Sequence, residues 1–253
     1  MITNYFRPQN IEDTLKLLKD SNSYPLGGGT WLNRPNNEIF QVVDLQVLGL
    51  NKISKQGNSL EIDACVTLQQ LLVSADCPEV LKPAIRLEAG LNIRNSATIA
   101  GVLVTCDGRS AFATVMLALD AKLTMNNENG AIVMGLGEFL PLRPRGLITE
   151  ITIPVNIKSA FETVARSPLD KPVVCAALSQ WSSGRTRLAL GGWGKAPSLA
   201  MDGTEPDGIV AAAKSSYQEA GDGWASSEYR ADVAGILANR CLETINQQFN
   251  IQD

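Results

Sequence analysis

The sequence contains no histidine in its 253 residues. This absence excludes Ser-His-Asp and Cys-His catalysis, histidine-ligated metals and acid–base chemistry by an imidazole. An enzyme without these groups depends on a cofactor for its difficult chemistry. We therefore predict no catalytic side chain in this chain, and a bound cofactor if the chain works in an enzyme.

Paired cysteines are also absent. The cysteines are Cys65, Cys77, Cys106, Cys175 and Cys241, an odd number with no Cys-x-x-Cys spacing. This pattern argues against a disulfide framework, and against an iron–sulfur or zinc site carried by this chain alone. We predict no metal site, and we expect most of these side chains, Cys106 included, to be small buried hydrophobic groups.

Basic runs, aromatic residues and long apolar runs are scarce. Aromatic residues make up 6% of the chain, the net charge is −4, and no more than two Lys or Arg residues are adjacent. A nucleic-acid surface needs a basic stripe or stacking platforms, so no nucleic-acid partner is expected. No stretch approaches the ~20 apolar residues of a membrane span. The N-terminus "MITNYFRPQN" lacks the order of a secretory signal, so no membrane contact and a cytoplasmic location are expected.

The order of patterns along the chain predicts an α+β fold. A helix with Asn10 near its start lies between short strands, one of which runs into the glycines of "YPLGGGT". Three further elements follow along the chain. They are a hairpin at Gly57-Asn58, a helix capped by Thr67 and a helix closed by Gly90 at its C′ position. "LITEITIPV" is the clearest strand.

The pattern changes near residues 155–158, where we place a domain boundary. "VVCAALSQW" and "RTRLALGGWG" are predicted to be antiparallel strands joined by a turn at Ser182-Ser183-Gly184. From Pro206 onward the pattern is helical. The predicted C-terminal domain, residues 157–253, therefore combines antiparallel strands with a helix bundle.

Two glycine-bearing segments are candidates for phosphate binding. In the first, Gly27, Gly28, Gly29 and Thr30 present successive backbone N–H groups after a strand, a geometry that binds anions. It matches neither the Walker loop nor the Rossmann pattern, since no Lys follows and Leu32 replaces the third glycine. Alone it fits a tight turn equally well. The second segment, "IRNSATIAG", repeats the combination of Thr, an apolar residue and small residues.

Together these motifs resemble a known family. The ordered series "LGGGTWL", "VVDL", "LEIDACVTLQQL", "IRNSATIAG", "LALDAKL" and "LITEITIP" is similar to the FAD-binding subunit of molybdenum hydroxylases, which has a vanillyl-alcohol-oxidase-like FAD fold. "RTRLALGGWGKAP" and "YRADVAGILANRCLE" resemble the C-terminal domain of the carbon monoxide dehydrogenase flavoproteins. The resemblance implies an FAD-binding domain at 1–156, with a small α/β subdomain at about 1–50 and a mixed or antiparallel sheet with helices at about 51–156.

The resemblance also implies which residues contact FAD. The backbone of the first loop would bind the pyrophosphate, and the second loop would match the family's "TIGGN" motif, with Ala100 for Gly and Val102 for Asn. Leu147, or Ile148, would lie near the flavin ring or the adenine. Ala111 stands where the family has an Asp, so Asp107 is the candidate replacement and Arg109 a candidate phosphate partner. The implied set is Leu26, Gly27, Gly28, Gly29, Thr30, Trp31, Asn33, Thr98, Ile99, Ala100, Gly101, Val102, Asp107 and Leu147.

By resemblance, the chain carries FAD as the electron-transfer subunit of an oxidoreductase complex. A molybdopterin-binding large subunit would oxidise the substrate, a purine or another N-heterocycle among the candidates. The [2Fe-2S] clusters of a small subunit would pass electrons to this flavin, and NAD+ or another acceptor would take them. Two alternatives stay open: a free-standing flavin oxidoreductase of the same fold, and a non-enzymatic assembly subunit whose flavin site has decayed.

Overall fold

The structure is a computed structural model that describes residues 1–33, 39–168 and 170–250. Its strands are β1 (Ile2–Phe6), β2 (Ser23–Leu26), β3 (Phe40–Asp44), β4 (Ile53–Gln56), β5 (Ser59–Asp63), β6 (Lys122–Asn127), β7 (Gly130–Gly135), β8 (Leu147–Pro154), β9 (Lys158–Val164), β10 (Val174–Gln180), β11 (Thr186–Gly191) and β12 (Ser198–Gly203). Its α-helices are α1 (Ile11–Leu18), α2 (Leu68–Val73), α3 (Leu81–Glu88), α4 (Leu91–Arg94), α5 (Ile99–Thr105), α6 (Ala111–Ala118), α7 (Leu136–Leu142), α8 (Ile209–Ser216) and α9 (Ser227–Asn250).

The N-terminal α/β unit forms as predicted. The Asn10 side chain accepts a hydrogen bond from the Asp13 N–H at 2.8 Å and caps α1. Strands β1, β3 and β2 form a three-stranded sheet in that order, and both pairings are parallel. Because β2 ends at Leu26, the glycines follow directly at the carboxyl edge of a parallel sheet. Ligands of open α/β sheets commonly bind at this edge.

A five-stranded sheet in the order β4-β5-β8-β6-β7 follows. The β4–β5 hairpin turns at the predicted glycine, Gly57, whose φ is +58°. Residues of β8 alternate in exposure near its end, as "LITEITIP" predicts, and the strand ends at Pro154. The sheet thus joins the predicted hairpin to the clearest predicted strand.

Three short helices, α2, α3 and α4, lie in the sequence between β5 and the second glycine-bearing segment. Thr67 and Gln70 form a reciprocal capping box at the start of α2, which confirms the predicted cap. The prediction for Gly90 is wrong. Helix α3 ends at Glu88 with Ala89 extended, and Gly90 (φ −65°) is the N-cap of α4 instead. The chain needs no left-handed residue there because it passes directly from one helix to the next.

The predicted antiparallel pair is confirmed in a four-stranded sheet, β12-β11-β10-β9. Gly184 (φ +88°) closes the predicted turn between β10 and β11, with its N–H donated to the Trp181 carbonyl at 2.9 Å. Both faces of β10 are buried. Ala176 belongs to the apolar core shared with α8 and α9, whereas Cys175 contacts Thr114 of α6. This double burial explains the unbroken apolar run "VVCAAL".

The chain divides into two compact units. The first unit comprises Met1–Asp76, Gly90–Thr105 and Lys122–Thr152, and the second comprises Cys77–Ala89, Cys106–Ala121 and Ile153–Asp253. Helices α3 and α6 therefore group with the C-terminal strands. The division at residue 156 stays a prediction. No helix within the described ranges is long and apolar enough to cross a membrane. The mixed α+β architecture confirms the predicted fold class.

Candidate functional site

The first loop, residues Leu26–Asn33, presents unpaired backbone donors. In the described part of the chain, no acceptor takes the N–H groups of Gly27, Gly28, Gly29 or Thr30. These residues are exposed or half-buried, so a ligand can reach them. Gly29 has φ +69°, a left-handed conformation that turns successive N–H groups toward a common point. The loop is therefore a cradle of donors suited to an anion.

The second loop, residues Thr98–Val102, packs directly against the first loop. A Cβ atom at Gly28 would lie 1.6 Å from the Ser96 carbonyl oxygen, so only glycine fits that position. A Cβ atom at Gly27 would lie 3.0 Å from Thr98 Oγ1. The structure thus brings together two segments that are about seventy residues apart in the sequence.

The N–H groups of the second loop are already used within the protein. The Ile99 N–H donates to the Val66 carbonyl at 2.8 Å and the Ala100 N–H to the Ala64 carbonyl at 3.3 Å. The next N–H groups, of Gly101 and Val102, donate to Thr98 Oγ1 at 3.2 Å and to the Thr98 carbonyl at 2.9 Å. The second loop therefore contributes to the cradle by packing against the first loop, and these N–H groups are not available to a ligand. Among the described residues, no acceptor takes the hydroxyl hydrogen of Thr98, so this group is available to a ligand.

Thr98 is the side chain that joins the two loops. It is 7% exposed, its hydroxyl accepts the Gly101 N–H at the start of α5, and it forms an isolated bridge with Thr67. Arg94, just before the loop, donates from Nε to Gln69 Oε1 at 3.1 Å and so ties α4 to α2. This contact gives Arg94 a structural role beside the second loop.

Other predicted residues of the first loop lie at its exposed end. Trp31 is 42% exposed, so its ring is not a core residue and one side is available to a ligand. Asn33 is exposed, and its N–H donates to the Gly29 carbonyl at 3.0 Å, which closes the loop. Leu26 is half-buried at the end of β2. Arg34, considered beside Asn33 as a phosphate or ribose contact, lies outside the described residues.

Three of the predicted residues belong to segments outside the two loops. Leu147 and Ile148 begin β8 and are buried, at 2% and 5% exposure. Asp107 belongs to the second compact unit, where its carboxylate pairs with Lys171 at 3.0 Å and accepts the Arg109 N–H at 2.9 Å. Ala111, in the position of the family's Asp, is a buried residue in the first turn of α6. Contacts of Leu147 and Asp107 with a cofactor stay predictions.

The sequence patterns missed the residues that complete the loop packing. The Ser96 carbonyl limits position 28 to glycine. The carbonyls of Ala64 and Val66 accept hydrogen bonds from N–H groups of the second loop. These are backbone groups, so residue type carries no signal for them. The one available signal is the small side chain required at Gly28.

The cysteines behave as buried hydrophobic groups. Cys77, Cys106, Cys175 and Cys241 are buried, and Cys65 is half-buried. Burial raises the pKa of Cys65 and of Cys77 to about 11, and that of Cys175 to about 12. These thiols are therefore protonated near neutral pH and are poor nucleophiles.

A cradle of N–H groups at the carboxyl edge of a parallel sheet, without acceptors among the described residues and packed against a second loop, has the geometry of an anion-binding site. Residues 1–156 match the family model described as "FAD binding domain in molybdopterin dehydrogenase", and the chain belongs to this family. Its cofactor is FAD, and it is an oxidoreductase component. The cradle fits the pyrophosphate of FAD because its N–H groups have no acceptor among the described residues, and because Gly28 lets the Ser96 backbone pack closely behind it.

The relatives are subunits of multi-subunit dehydrogenases. The chain is 28% identical to the carbon monoxide dehydrogenase medium chain of Afipia carboxidovorans, with 95% of each covered. It is 24% identical to the glyceraldehyde dehydrogenase medium chain of Sulfolobus acidocaldarius, covering 96% of this chain and 98% of the relative. A solved structure of reconstituted CO dehydrogenase from Oligotropha carboxidovorans superposes with a TM-score of 0.82 at 26% identity, covering 97% of this chain and 98% of that one.

We expect Thr98→Val to weaken FAD binding about threefold to tenfold and to cost about 1 kcal/mol of stability. The change keeps the side-chain volume but removes both the acceptor for the Gly101 N–H and the free hydroxyl donor. Fluorescence titration with FAD measures the first effect, and urea unfolding measures the second. Thr98→Ser keeps the hydroxyl and should stay within about twofold of the wild type in affinity. Equal losses in both variants would contradict a role for the hydroxyl.

Proposed function

We propose that this chain is the electron-transfer subunit of a molybdenum hydroxylase complex, with residues 1–156 holding FAD and residues 157–253 forming a C-terminal domain. In this complex a large subunit with molybdopterin oxidises the substrate, and a small subunit with [2Fe-2S] clusters delivers electrons to the flavin. The observation that carries the proposal is the row of free N–H groups from Gly27 to Thr30, braced by the second loop.

The residues of this chain bind and orient the cofactor. The N–H groups of Gly27–Thr30 and the Thr98 hydroxyl are the proposed pyrophosphate donors, and Trp31 and Asn33 lie beside them. Bound FAD supplies electron transfer, because it accepts electrons and releases them as a pair. The proposal requires no acid or base from the protein, which fits a sequence without histidine. Leu26, Ile99, Ala100, Gly101, Val102, Asp107 and Leu147 complete the proposed set.

Exposed apolar side chains near the second loop favour a subunit over a free-standing enzyme. Leu91 of α4 is 56% exposed, Leu142 at the end of α7 is 71% exposed, and Ile93 and Val104 are also exposed. Arg143 Nη1 donates to the Val104 carbonyl at 2.6 Å, so the ends of α5 and α7 lie together. Exposed apolar side chains at neighbouring helix ends are typical of protein–protein contacts. The proposed partner here is the small iron–sulfur subunit.

Isolation of the tagged chain from its native cells tests the complex. We expect FAD, iron and molybdenum to co-elute with the chain in a constant ratio through two separation steps. The chain eluting alone with FAD, while still oxidising a reduced donor, would favour a free-standing flavin oxidoreductase. A chain that elutes with partners but without FAD would indicate an assembly subunit.

The electron acceptor is tested on the chain itself. NAD+ is one proposed electron acceptor. The large subunit would set the substrate class, for which purines and other N-heterocycles are candidates. The FAD-loaded chain is reduced anaerobically and mixed with NAD+, and return of the visible flavin band is followed. Rapid return with NADH formed in equal amount supports NAD+ as acceptor. No return with NAD+, but return with a quinone or oxygen, excludes NAD+.

A further inference from the structure

Two arginines converge on one partly exposed tryptophan in the second compact unit. The Arg109 Cζ atom lies 4.2 Å from the centre of the Trp224 ring, and the Arg166 Cζ atom lies 5.2 Å from it. Trp224 is 51% exposed, so this group stands at the surface rather than in the core. Cation–π contacts of this kind orient guanidinium groups over an aromatic face.

The two guanidinium groups differ in how they are held. Arg109 donates from Nε to the Pro172 carbonyl at 2.9 Å and from Nη2 to the Lys171 carbonyl at 2.7 Å, which fixes its position. Arg166 donates to no acceptor within the described ranges, and neither arginine forms an ion pair with a described carboxylate. Within the described ranges, the guanidinium of Arg166 therefore has donors available to a ligand.

A cleft of about 320 Å³ lies beside this pair. Its walls combine Arg166, Trp224 and Tyr229 with the apolar side chains of Val164, Val173 and Ala225. Tyr229 is 47% exposed, so a face of its ring is open to a ligand. A cavity of this size that combines apolar walls with a few convergent polar groups is typical of small-molecule sites.

We propose that this cleft binds a nucleotide, a planar base that carries a phosphate group. The base packs against the Tyr229 ring and the apolar walls, because aromatic rings stack on bases irrespective of sequence. The phosphate pairs with the guanidinium of Arg166, whose planar fork matches phosphate oxygens. Arg109 holds Trp224 in place and adds positive charge. The site is distinct in residues from the glycine loops that hold FAD.

Binding of adenosine monophosphate to the full FAD-loaded chain tests the proposal. Isothermal titration should show saturable binding below about 5 mM, with the visible spectrum of FAD unchanged. Arg166→Gln should weaken binding about tenfold or more, because it removes the charge-assisted contact. Arg240→Gln removes an exposed charge elsewhere in the same unit and should leave the affinity unchanged.

Two further measurements separate the base from the phosphate. Adenosine should bind the wild-type chain about tenfold more weakly than adenosine monophosphate, and Arg166→Gln should remove this difference. Tyr229→Ala should weaken both ligands to a similar extent. The proposal is overturned if adenosine monophosphate does not saturate, if Arg166→Gln binds like the wild type, or if inorganic phosphate competes as well as the nucleotide. The last result would indicate a simple anion site.

Discussion

Gly28→Ala is expected to lower the FAD affinity at least about a hundredfold. The added Cβ atom would lie 1.6 Å from the Ser96 carbonyl oxygen, a backbone atom that cannot move without displacing the second loop. The two loops must separate, and the cradle of N–H groups loses its support. We also expect a loss of about 1–3 kcal/mol in stability from overpacking. FAD titration of the folded variant, with circular dichroism to verify folding, measures the effect.

Two glycines provide matched controls for this substitution. Gly27→Ala would meet Thr98 Oγ1 at 3.0 Å, a contact that a shift of a few tenths of an ångström relieves, so we expect a loss of no more than about fivefold. Gly223→Ala, in the second compact unit, meets no atom within 4 Å and should change neither affinity nor stability. Equal effects of Gly27→Ala and Gly28→Ala would contradict the close packing of Gly28 against the Ser96 carbonyl.

Asp222→Asn is expected to destabilise the chain by about 3 kcal/mol. Arg230 is fully buried, and its guanidinium has Asp222 as its carboxylate partner at 2.9 Å, with the Ala220 carbonyl at 3.0 Å. Removal of one partner leaves a buried charge uncompensated, which costs about 3–5 kcal/mol. We expect the lower end of this energy range because the Asp222 side chain is 31% exposed, so solvent reaches one side of the ion pair. Urea unfolding followed by circular dichroism measures the change.

Asp232→Asn is the matched control in the same unit. Asp232 pairs with Lys214 at 2.8 Å, but its side chain is 72% exposed. Exposed ion pairs contribute less than about 1 kcal/mol, so this substitution should be nearly neutral. If Asp222→Asn is equally neutral, Arg230 is satisfied without its carboxylate partner, and the buried pair contributes no more than an exposed one.

The same pair makes stability depend on pH in acid. Although burial raises it, the N–H groups of Trp224 and Ala225 and the Arg230 guanidinium together hold the pKa of Asp222 below its usual value. A depressed carboxyl pKa adds stability above the unfolded value of about 3.9, and that stability is lost as the pH falls through the folded pKa. The difference between wild type and Asp222→Asn should therefore shrink below about pH 4.

Local signals in the sequence were sufficient for much of the fold. Asn10, Thr67 and Gly184 act through residues within four positions, and each forms the cap or turn that its type predicts. Gly90 shows where local reasoning fails. A glycine after a helical pattern suggests a left-handed cap, but here the chain enters α4 at once and Gly90 is the N-cap. The pattern itself does not distinguish a C′ glycine from an N-cap glycine.

Only the part of the candidate site that depends on local sequence could be predicted. In the first loop, the run of glycines after a strand is itself the sequence signal for a backbone that binds anions. The second loop depends on distant backbone groups, since the carbonyls of Ala64 and Val66 take N–H groups that the motif alone leaves free. No local pattern predicts the contacts of Trp224 with Arg109 and Arg166, because these residues are far apart in the sequence and meet only in the fold.

The visible spectrum of the purified chain, with identification of the released nucleotide, tests the central claim most directly. We predict a yellow protein that binds about one FAD per chain and binds riboflavin, which lacks the pyrophosphate, at least about a hundredfold more weakly. The donors of Gly27–Thr30 are the proposed main source of this preference, to which the adenosine missing from riboflavin also contributes. A colourless chain that takes up no FAD, or one that binds riboflavin as tightly as FAD, would contradict pyrophosphate binding by this loop.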